Sequence, residues 1–157
     1  ISSGGLGTMG FGLGASIEAY LTRPDKRVFN IAGDGSFRMN LIELATAVEY
    51  NVPVIVVIMN NHALGMVRQW QNLFYDRRYS QSTLDRQTDF VKLAEAFGAV
   101  GYNLTDKKDV DRVLQEALSL NRTVVINCEI SRDHKVWPMV PPGAAIEDVI
   151  MGEYDIR

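Results

Sequence analysis

Residues 54–61 read Val54-Ile55-Val56-Val57-Ile58-Met59-Asn60-Asn61, and this segment carries most of the information about the architecture. It opens with an uninterrupted, mostly β-branched apolar run, which is typical of a strand that is covered on both faces. Two amides follow at the point where the strand must end. A second apolar run, Val28–Ala32, ends at Gly33-Asp34-Gly35-Ser36, which we interpret as a turn that needs the backbone freedom of glycine. Because residues with helical spacing separate the two runs, we expect neighbouring parallel strands joined by a crossover helix.

The rest of the chain continues this alternation of strands and helices. Apolar spacing predicts helices near residues 13–21, 41–48, 64–74, 90–97 and 106–120, and further strands near residues 99–104 and 123–130. The predicted fold is therefore α/β, a three-layer sandwich with a mostly parallel sheet and helices on both faces. We expect residues 1–157 to form a single domain in which residues 131–157, which are rich in proline, form an irregular tail.

Composition excludes several classes of protein. The chain has 157 residues, 46% of them apolar, and a net charge of −3, so it is neither disordered nor patterned for nucleic acid. Its longest apolar run, residues 52–59, is too short to cross a membrane. A single cysteine, Cys128, excludes an internal disulfide and fits a reducing compartment, so we expect a cytoplasmic protein without a secretory signal. Because the chain starts at Ile1 within a glycine-rich segment, we expect it to be a truncated piece of a longer protein.

Oxygen ligands follow the two neighbouring strands. Asp34 comes directly after the first strand and Asn61 after the second, and the carboxyl ends of parallel strands meet at one edge of a sheet. A carboxylate, an amide oxygen and a backbone carbonyl just after Asn61 suit Mg²⁺. Gly35 and Ser36 lie where N–H groups open a helix, which attracts phosphate. The sequence thus predicts a site for Mg²⁺ with a diphosphate, although each fragment alone would also fit an ordinary turn or loop.

Three longer segments extend this pattern to a family. Gly33-Asp34-Gly35 followed by Asn60-Asn61 resembles the fingerprint of thiamin-diphosphate enzymes. Residues 3–13 (Ser3-Gly4-Gly5-Leu6-Gly7-Thr8-Met9-Gly10-Phe11-Gly12-Leu13), residues 59–67 (Met59-Asn60-Asn61-His62-Ala63-Leu64-Gly65-Met66-Val67) and residues 138–144 (Pro138-Met139-Val140-Pro141-Pro142-Gly143-Ala144) resemble acetolactate synthase catalytic subunits. The resemblance implies the thiamin-diphosphate-binding domain of a three-domain transferase. The parent would decarboxylate pyruvate and join the two-carbon unit to a second 2-oxo acid, in branched-chain amino-acid biosynthesis.

The resemblance also implies a role for each matching residue. Mg²⁺ would be bound by the side chains of Asp34 and Asn61 and the backbone oxygen of Ala63, and the diphosphate turn would consist of Gly33, Gly35 and Ser36. The carbonyl of Gly7 would accept a hydrogen bond from the aminopyrimidine, Met9 would hold the cofactor bent, Met66 would flank it, and Trp70 would lie on the wall of the substrate channel. For Met66 and Trp70 ordinary core packing is the alternative, since they are four residues apart on one helix face.

Other expectations concern parts that this chain does not contain. In the resembled family the glutamate that activates the cofactor lies on another domain, so we expect no catalytic residue in this fragment and no activity from the fragment alone. FAD, where present, would be held mostly by a further domain. The parent would act on pyruvate and a second 2-oxo acid as a homodimer or homotetramer, with a possible regulatory small subunit.

Several alternatives remain at this stage. Other thiamin-diphosphate enzymes, namely 2-oxo-acid decarboxylases, pyruvate oxidases and glyoxylate carboligases, would share the ligand set. The segment Gly5-Leu6-Gly7-Thr8-Met9-Gly10 satisfies the G-x-G-x-x-G pattern of Rossmann-type dinucleotide-binding domains, although no predicted strand precedes it. A non-enzymatic binding module is a third alternative. We expect His62 and His134 to be solvated and Cys128 to be an inert core residue.

Overall fold

The computed structural model describes residues 1–84 and 88–152, and in these ranges it contains the predicted helices and strands together with one further helix, over residues 34–40, that the apolar spacing did not predict. The helices are α1 (Phe11–Thr22), α2 (Asp34–Asn40), α3 (Leu44–Glu49), α4 (Gly65–Phe74), α5 (Phe90–Ala96) and α6 (Val110–Ser119). The strands are β1 (Phe29–Gly33), β2 (Ile55–Asn60), β3 (Val100–Leu104) and β4 (Val124–Glu129). None of the helices in the described ranges is both long and apolar enough to cross a membrane.

The four strands form one parallel sheet in the order β1-β2-β4-β3. Strand β2 lies inside the sheet between β1 and β4, and its side chains enter the apolar layers on both faces, with Val56 and Ile58 on one face and Ile55 on the other. In the register of β1 and β2, Gly33 pairs with Met59, so the two strands end at the same level. The predicted crossover between neighbouring parallel strands is therefore confirmed.

Apolar side chains cover both faces of the sheet. One face packs against α1, α2, α3 and α5, and its buried residues include Leu13, Phe37, Leu44, Phe90, Val54, Val56, Ile58 and Val125. The other face packs against α6, with Val113, Ala117, Ile55, Val124 and Ile126 buried between them. The result is a helix–sheet–helix arrangement, and the predicted α/β fold with helices on both faces is confirmed.

The transition from β1 to α2 differs from the expected free turn. Gly33 has an extended backbone with φ of −74°, and α2 begins at the next residue, so conformational freedom is not what glycine supplies here. At Gly35, glycine is required by lack of space for a side chain, because a Cβ there would lie 2.8 Å from Cδ2 of Leu64. Glycine at this position lets the first turn of α2 approach the loop that follows β2, which brings the two segments with predicted ligands together.

The segment after β4 has little regular structure but is held against α4. The side chain of Gln69 accepts a hydrogen bond from Val136 N at 2.8 Å and donates one to Val136 O at 2.9 Å. Met139 and Ile150 form an isolated antiparallel bridge within the segment. Residues 153–157, the end of the tail predicted for residues 131–157, lie outside the described residues.

Candidate functional site

The carboxyl ends of β1 and β2 bring the predicted oxygen ligands to one edge of the sheet. Asp34 is the first residue of α2, directly after β1, and Asn61 directly follows β2. A Cβ added to Gly65 would lie 2.8 Å from Nδ2 of Asn61, and Gly35 is equally close to Leu64. The loop from Asn61 to Gly65 is therefore packed directly against the first turn of α2.

Asp34 is the most unusual side chain at this edge because it is fully buried. Neither carboxylate oxygen accepts a hydrogen bond of standard geometry from the described residues. Burial raises the pKa of Asp34, while the positive charge of Arg38 and the neighbouring N–H of Gly35 act in the opposite direction. A buried carboxylate without strong partners is unfavourable unless another positive group compensates it. A cation bound here would supply that compensation.

The loop after β2 is fixed by its own hydrogen bonds. Oδ1 of Asn61 accepts a bond from the backbone N–H of Ala63 at 3.1 Å, which closes an Asx turn. Ala63 itself is buried and forms an isolated antiparallel bridge with Thr83. The described residues contain no cluster of three or more His, Cys, Asp or Glu side chains. A cation at this edge would therefore use amide and carbonyl oxygens beside Asp34, which is an oxygen-rich set suited to Mg²⁺.

The glycine-rich segment before α1 is fastened to α2. The N–H of Gly10, whose φ is 88°, donates to Oγ of Ser36 at 3.1 Å. Gly7 also has a positive φ, 62°, and no atom lies close to its missing Cβ. The methyl group of Met9 would lie 3.5 Å from a Cβ on Gly35. Met9, Gly35 and Ser36, which the family resemblance links to the cofactor, thus lie together around the start of α2. Gly7 is exposed in the segment before α1, and its N–H donates to the carbonyl of Ser3 at 3.0 Å.

Helix α4 begins at Gly65, directly after the loop that follows β2. Met66 is 48% exposed, so core packing does not explain it. Trp70 is half-buried and packs edge-on against Phe74, with 6.1 Å between the ring centroids. An open pocket of about 600 Å³ lies beside Trp70 and is lined also by Val67, Gln71, Tyr75 and Arg78. Trp70 is therefore accessible from an open pocket, and its assignment to a substrate channel stays a prediction.

Sequence reasoning missed a partner of His62. The expectation that this side chain is solvated is wrong, because Nε2 of His62 lies 2.7 Å from Oε2 of Glu129 and the His62 side chain is only 26% exposed. Glu129 ends β4, far along the chain, and its only sequence signal is that it and Asn127 place polar residues on one face of an otherwise apolar strand. His134 is exposed and Cys128 is buried, as expected.

Comparison with known families adds to this geometry. Residues 1–128 match the family described as thiamine pyrophosphate enzyme, C-terminal TPP binding domain. The chain is 45% identical over 150 residues to the acetolactate synthase isozyme 2 large subunit of Escherichia coli K12, covering 96% of this chain and 27% of that protein. It is 42% identical over 154 residues to the acetolactate synthase large subunit of Haemophilus influenzae, covering 98% of this chain and 27% of that protein.

A solved structure shows the same fold. The thiamine diphosphate-dependent 4-hydroxybenzoylformate decarboxylase of Rhodococcus jostii RHA1 superposes with a TM-score of 0.75 and 29% sequence identity, over 81% of this chain and 24% of that one. The chain spans about a quarter of the length of the curated relatives named above. The parallel sheet and its helices are thus an arrangement found in a thiamine diphosphate-dependent enzyme.

Proposed function

This chain belongs to the thiamine pyrophosphate enzymes, as a C-terminal TPP-binding domain, and from this premise we propose that it is the Mg²⁺- and diphosphate-binding part of an acetolactate synthase catalytic subunit. One observation carries the metal assignment. Asp34 is fully buried, both of its carboxylate oxygens lack a hydrogen-bond partner among the described residues, and it lies at the same sheet edge as Asn61. That arrangement suits a bound divalent cation better than it suits a structural turn.

Different residues of this chain would bind the cation and the diphosphate of the cofactor. Asp34, Asn61 and the backbone oxygen of Ala63 would ligate Mg²⁺, and the first turn of α2, with Gly33, Gly35 and Ser36, would hold the diphosphate. N–H groups in the first turn of a helix have no intrahelical acceptor, which leaves them free for phosphate oxygens. Thiamin diphosphate, when bound, supplies the carbon–carbon bond chemistry.

The remaining residues would orient the organic part of the cofactor. Gly7 and Met9 lie in the segment that Ser36 fastens to α2, and they would set the bend of the molecule. Met66, half-exposed at the start of α4, would flank it, and Trp70 would face the incoming substrate. These roles are positional, since this domain is expected to hold no proton-transfer residue of its own.

The reaction we propose is that of the whole protein. Relatives at 42% and 45% identity over nearly all of this chain are acetolactate synthase large subunits, which favours decarboxylation of pyruvate and ligation to a second 2-oxo acid. The parent would act in branched-chain amino-acid biosynthesis in the cytoplasm, as a homodimer or homotetramer and with a regulatory small subunit. The second candidate is 2-oxo-acid decarboxylation, which the fold of the Rhodococcus jostii decarboxylase supports at 29% identity.

Replacing Asp34 by alanine in the full-length protein tests the metal assignment. We expect the Asp34→Ala variant to lose Mg²⁺-dependent binding of thiamin diphosphate, measured by isothermal titration calorimetry. Asp25→Ala is the matched control, because Asp25 is exposed and pairs with the neighbouring side chains of Arg23 and Lys26. Unchanged cofactor affinity in Asp34→Ala would defeat the assignment.

Two further measurements separate the candidate functions. A rise in melting temperature with Mg²⁺ and thiamin diphosphate, but not with NAD, would distinguish the proposal from a dinucleotide-binding module. With pyruvate as substrate, the full-length protein should form acetolactate, whereas release of acetaldehyde alone would identify a decarboxylase. The 157 residues by themselves should form neither product.

A further inference from the structure

A cluster of polar side chains connects β2, β3 and β4 near their carboxyl ends. Nδ2 of Asn60 on β2 donates to Oδ1 of Asn127 on β4 at 3.0 Å. Nδ2 of Asn127 donates in turn to Oδ1 of Asn103 on β3 at 3.0 Å. Asn60 and Asn127 are 2% and 6% exposed, so these amides lie within the protein rather than on its surface.

Glu129 is the hub of this cluster. Its Oε1 accepts hydrogen bonds from Nδ2 of Asn127 at 2.9 Å and from Nδ2 of Asn60 at 3.2 Å. Its Oε2 lies 2.7 Å from Nε2 of His62. One carboxylate thus contacts both the end of β2 and the loop that follows it. Hydrogen bonds to an ionised acceptor are stronger than those between neutral groups, and a network whose members are all satisfied is rigid.

The loop that this carboxylate reaches is strained. His62 has a φ of 54°, a left-handed conformation that is uncommon for residues other than glycine. Its backbone N–H donates to Oδ1 of Asn60 at 3.2 Å, and its carbonyl accepts from the N–H of Leu84 at 2.8 Å. Strained conformations persist where the surroundings over-determine them. The ring of His62, held by Glu129, is the third restraint on this residue.

His62 separates the two loop residues assigned to the cation, Asn61 and Ala63. The conformation at His62 therefore sets the direction in which the Asn61 side chain and the Ala63 carbonyl face. We propose that Glu129, acting through His62 and Asn60, is a positioning residue that holds this loop ready to bind the divalent cation. The inference rests on the proposed function, since it assigns a supporting contact to the same metal site.

The test compares the affinity of the purified full-length protein for Mg²⁺ in the presence of thiamin diphosphate, by isothermal titration calorimetry. We expect Glu129→Ala to weaken Mg²⁺ binding by up to about 10-fold, the lower end of the range for direct partners of metal ligands, because Glu129 acts on the ligands through His62 and Asn60. Glu129→Gln keeps an oxygen acceptor for Asn60 and Asn127 and an N–H donor for His62, so it should restore most of the affinity. Glu95→Ala, an exposed glutamate on α5, is the control and should bind like the unmodified protein.

A second variant keeps the proposal testable if Glu129→Ala does not fold. His62→Ala removes a side chain that is about a quarter exposed, and it should weaken Mg²⁺ binding as well. The double variant should lose no more affinity than the weaker-binding single variant, because both changes remove the same contact. Far-UV circular dichroism and the melting temperature verify that each variant is folded.

The outcomes separate this inference from the proposed function. If the unmodified protein binds Mg²⁺ with thiamin diphosphate but Glu129→Ala or His62→Ala binds equally well, the positioning role is overturned while the metal site stands. Additive losses in the double variant would also overturn it. If the unmodified protein binds no Mg²⁺ with thiamin diphosphate, the proposed function itself fails.

Discussion

Replacing Gly35 by alanine tests how closely α2 approaches the loop after β2. The added Cβ would lie 2.8 Å from Cδ2 of Leu64, whereas apolar carbon atoms settle at about 3.5–4.0 Å, so Leu64 must retreat by about 1 Å. Overpacking of this kind typically costs about 1–3 kcal/mol. Alanine also favours the helix over glycine by up to about 1 kcal/mol. Taking these together, we expect the free energy of unfolding to fall by about 1–2 kcal/mol.

Two comparison variants isolate the contact. Gly14 lies inside α1 with no atom within 4 Å of its missing Cβ, so Gly14→Ala should stabilise the protein by up to about 1 kcal/mol. In a Leu64→Ala background the nearest remaining atom is Cδ1 of Leu84, 3.4 Å from the added Cβ, so there Gly35→Ala should become close to neutral. Urea denaturation followed by far-UV circular dichroism gives each free energy, provided that the slope with denaturant stays constant.

The sign change is the decisive result. If Gly35→Ala destabilises the protein equally with and without the Leu64 side chain, crowding by Leu64 is not the reason for glycine at this position. If Gly35→Ala behaves like Gly14→Ala in the unmodified background, the close approach of α2 to the loop does not exist in solution.

Three further outcomes follow from buried groups and caps. Asp34→Asn should stabilise the protein in EDTA by about 1–3 kcal/mol, because it replaces a buried carboxylate whose oxygens accept no hydrogen bond of standard geometry with a neutral amide, which is less costly to bury. Burial raises the pKa of Asp34, so this carboxyl stabilises the folded state below about pH 3.9, where it is protonated, and that contribution is lost as pH rises through the raised pKa. Urea titrations in which Asp34→Asn and the unmodified protein differ by the same free energy at low and at neutral pH would contradict this. Gly101→Ala would place a Cβ 2.9 Å from backbone atoms of Val91 and should cost about 3 kcal/mol or more in the same titration, a loss that a smaller measured value would refute. Asp89→Ala removes the carboxylate that caps α5 and should cost about 1 kcal/mol, with recovery in Asp89→Ser; equal stability of all three proteins would show that the cap is dispensable.

The order of strands and helices could be predicted because the determining signals are local. The continuous apolar run in β2 indicated a strand with both faces covered, and side chains of β2 are buried in the apolar layers on both faces of the sheet. A helix cap is equally local, since Asp89 directly precedes α5 and its carboxylate accepts the backbone N–H of Lys92. The position of Asp34 and Asn61 at the same end of the sheet also followed, since it requires only that two successive strands be parallel neighbours.

Contacts between remote segments were not predictable in the same way. The pairing of Glu129 with His62 depends on the register of β4 against β2, and a shift of one residue would turn Glu129 to the other face. The reason for glycine at position 35 depends on where the Leu64 side chain lies after folding. Neither the register nor the side-chain position has a signature in the local sequence, so both became visible only in three dimensions.

The way in which α4 is attached to the domain has a consequence for its motion. This helix buries only Gln69, and that side chain bonds to the backbone of Val136 in an irregular segment instead of packing on the sheet. A helix held by polar contacts can detach while the apolar layers stay intact, so we expect its amide protons to exchange with solvent through local opening and not through global unfolding. A molecule bound beside Trp70 would slow this exchange, so the exchange rate of the α4 amide protons would report whether the pocket is occupied.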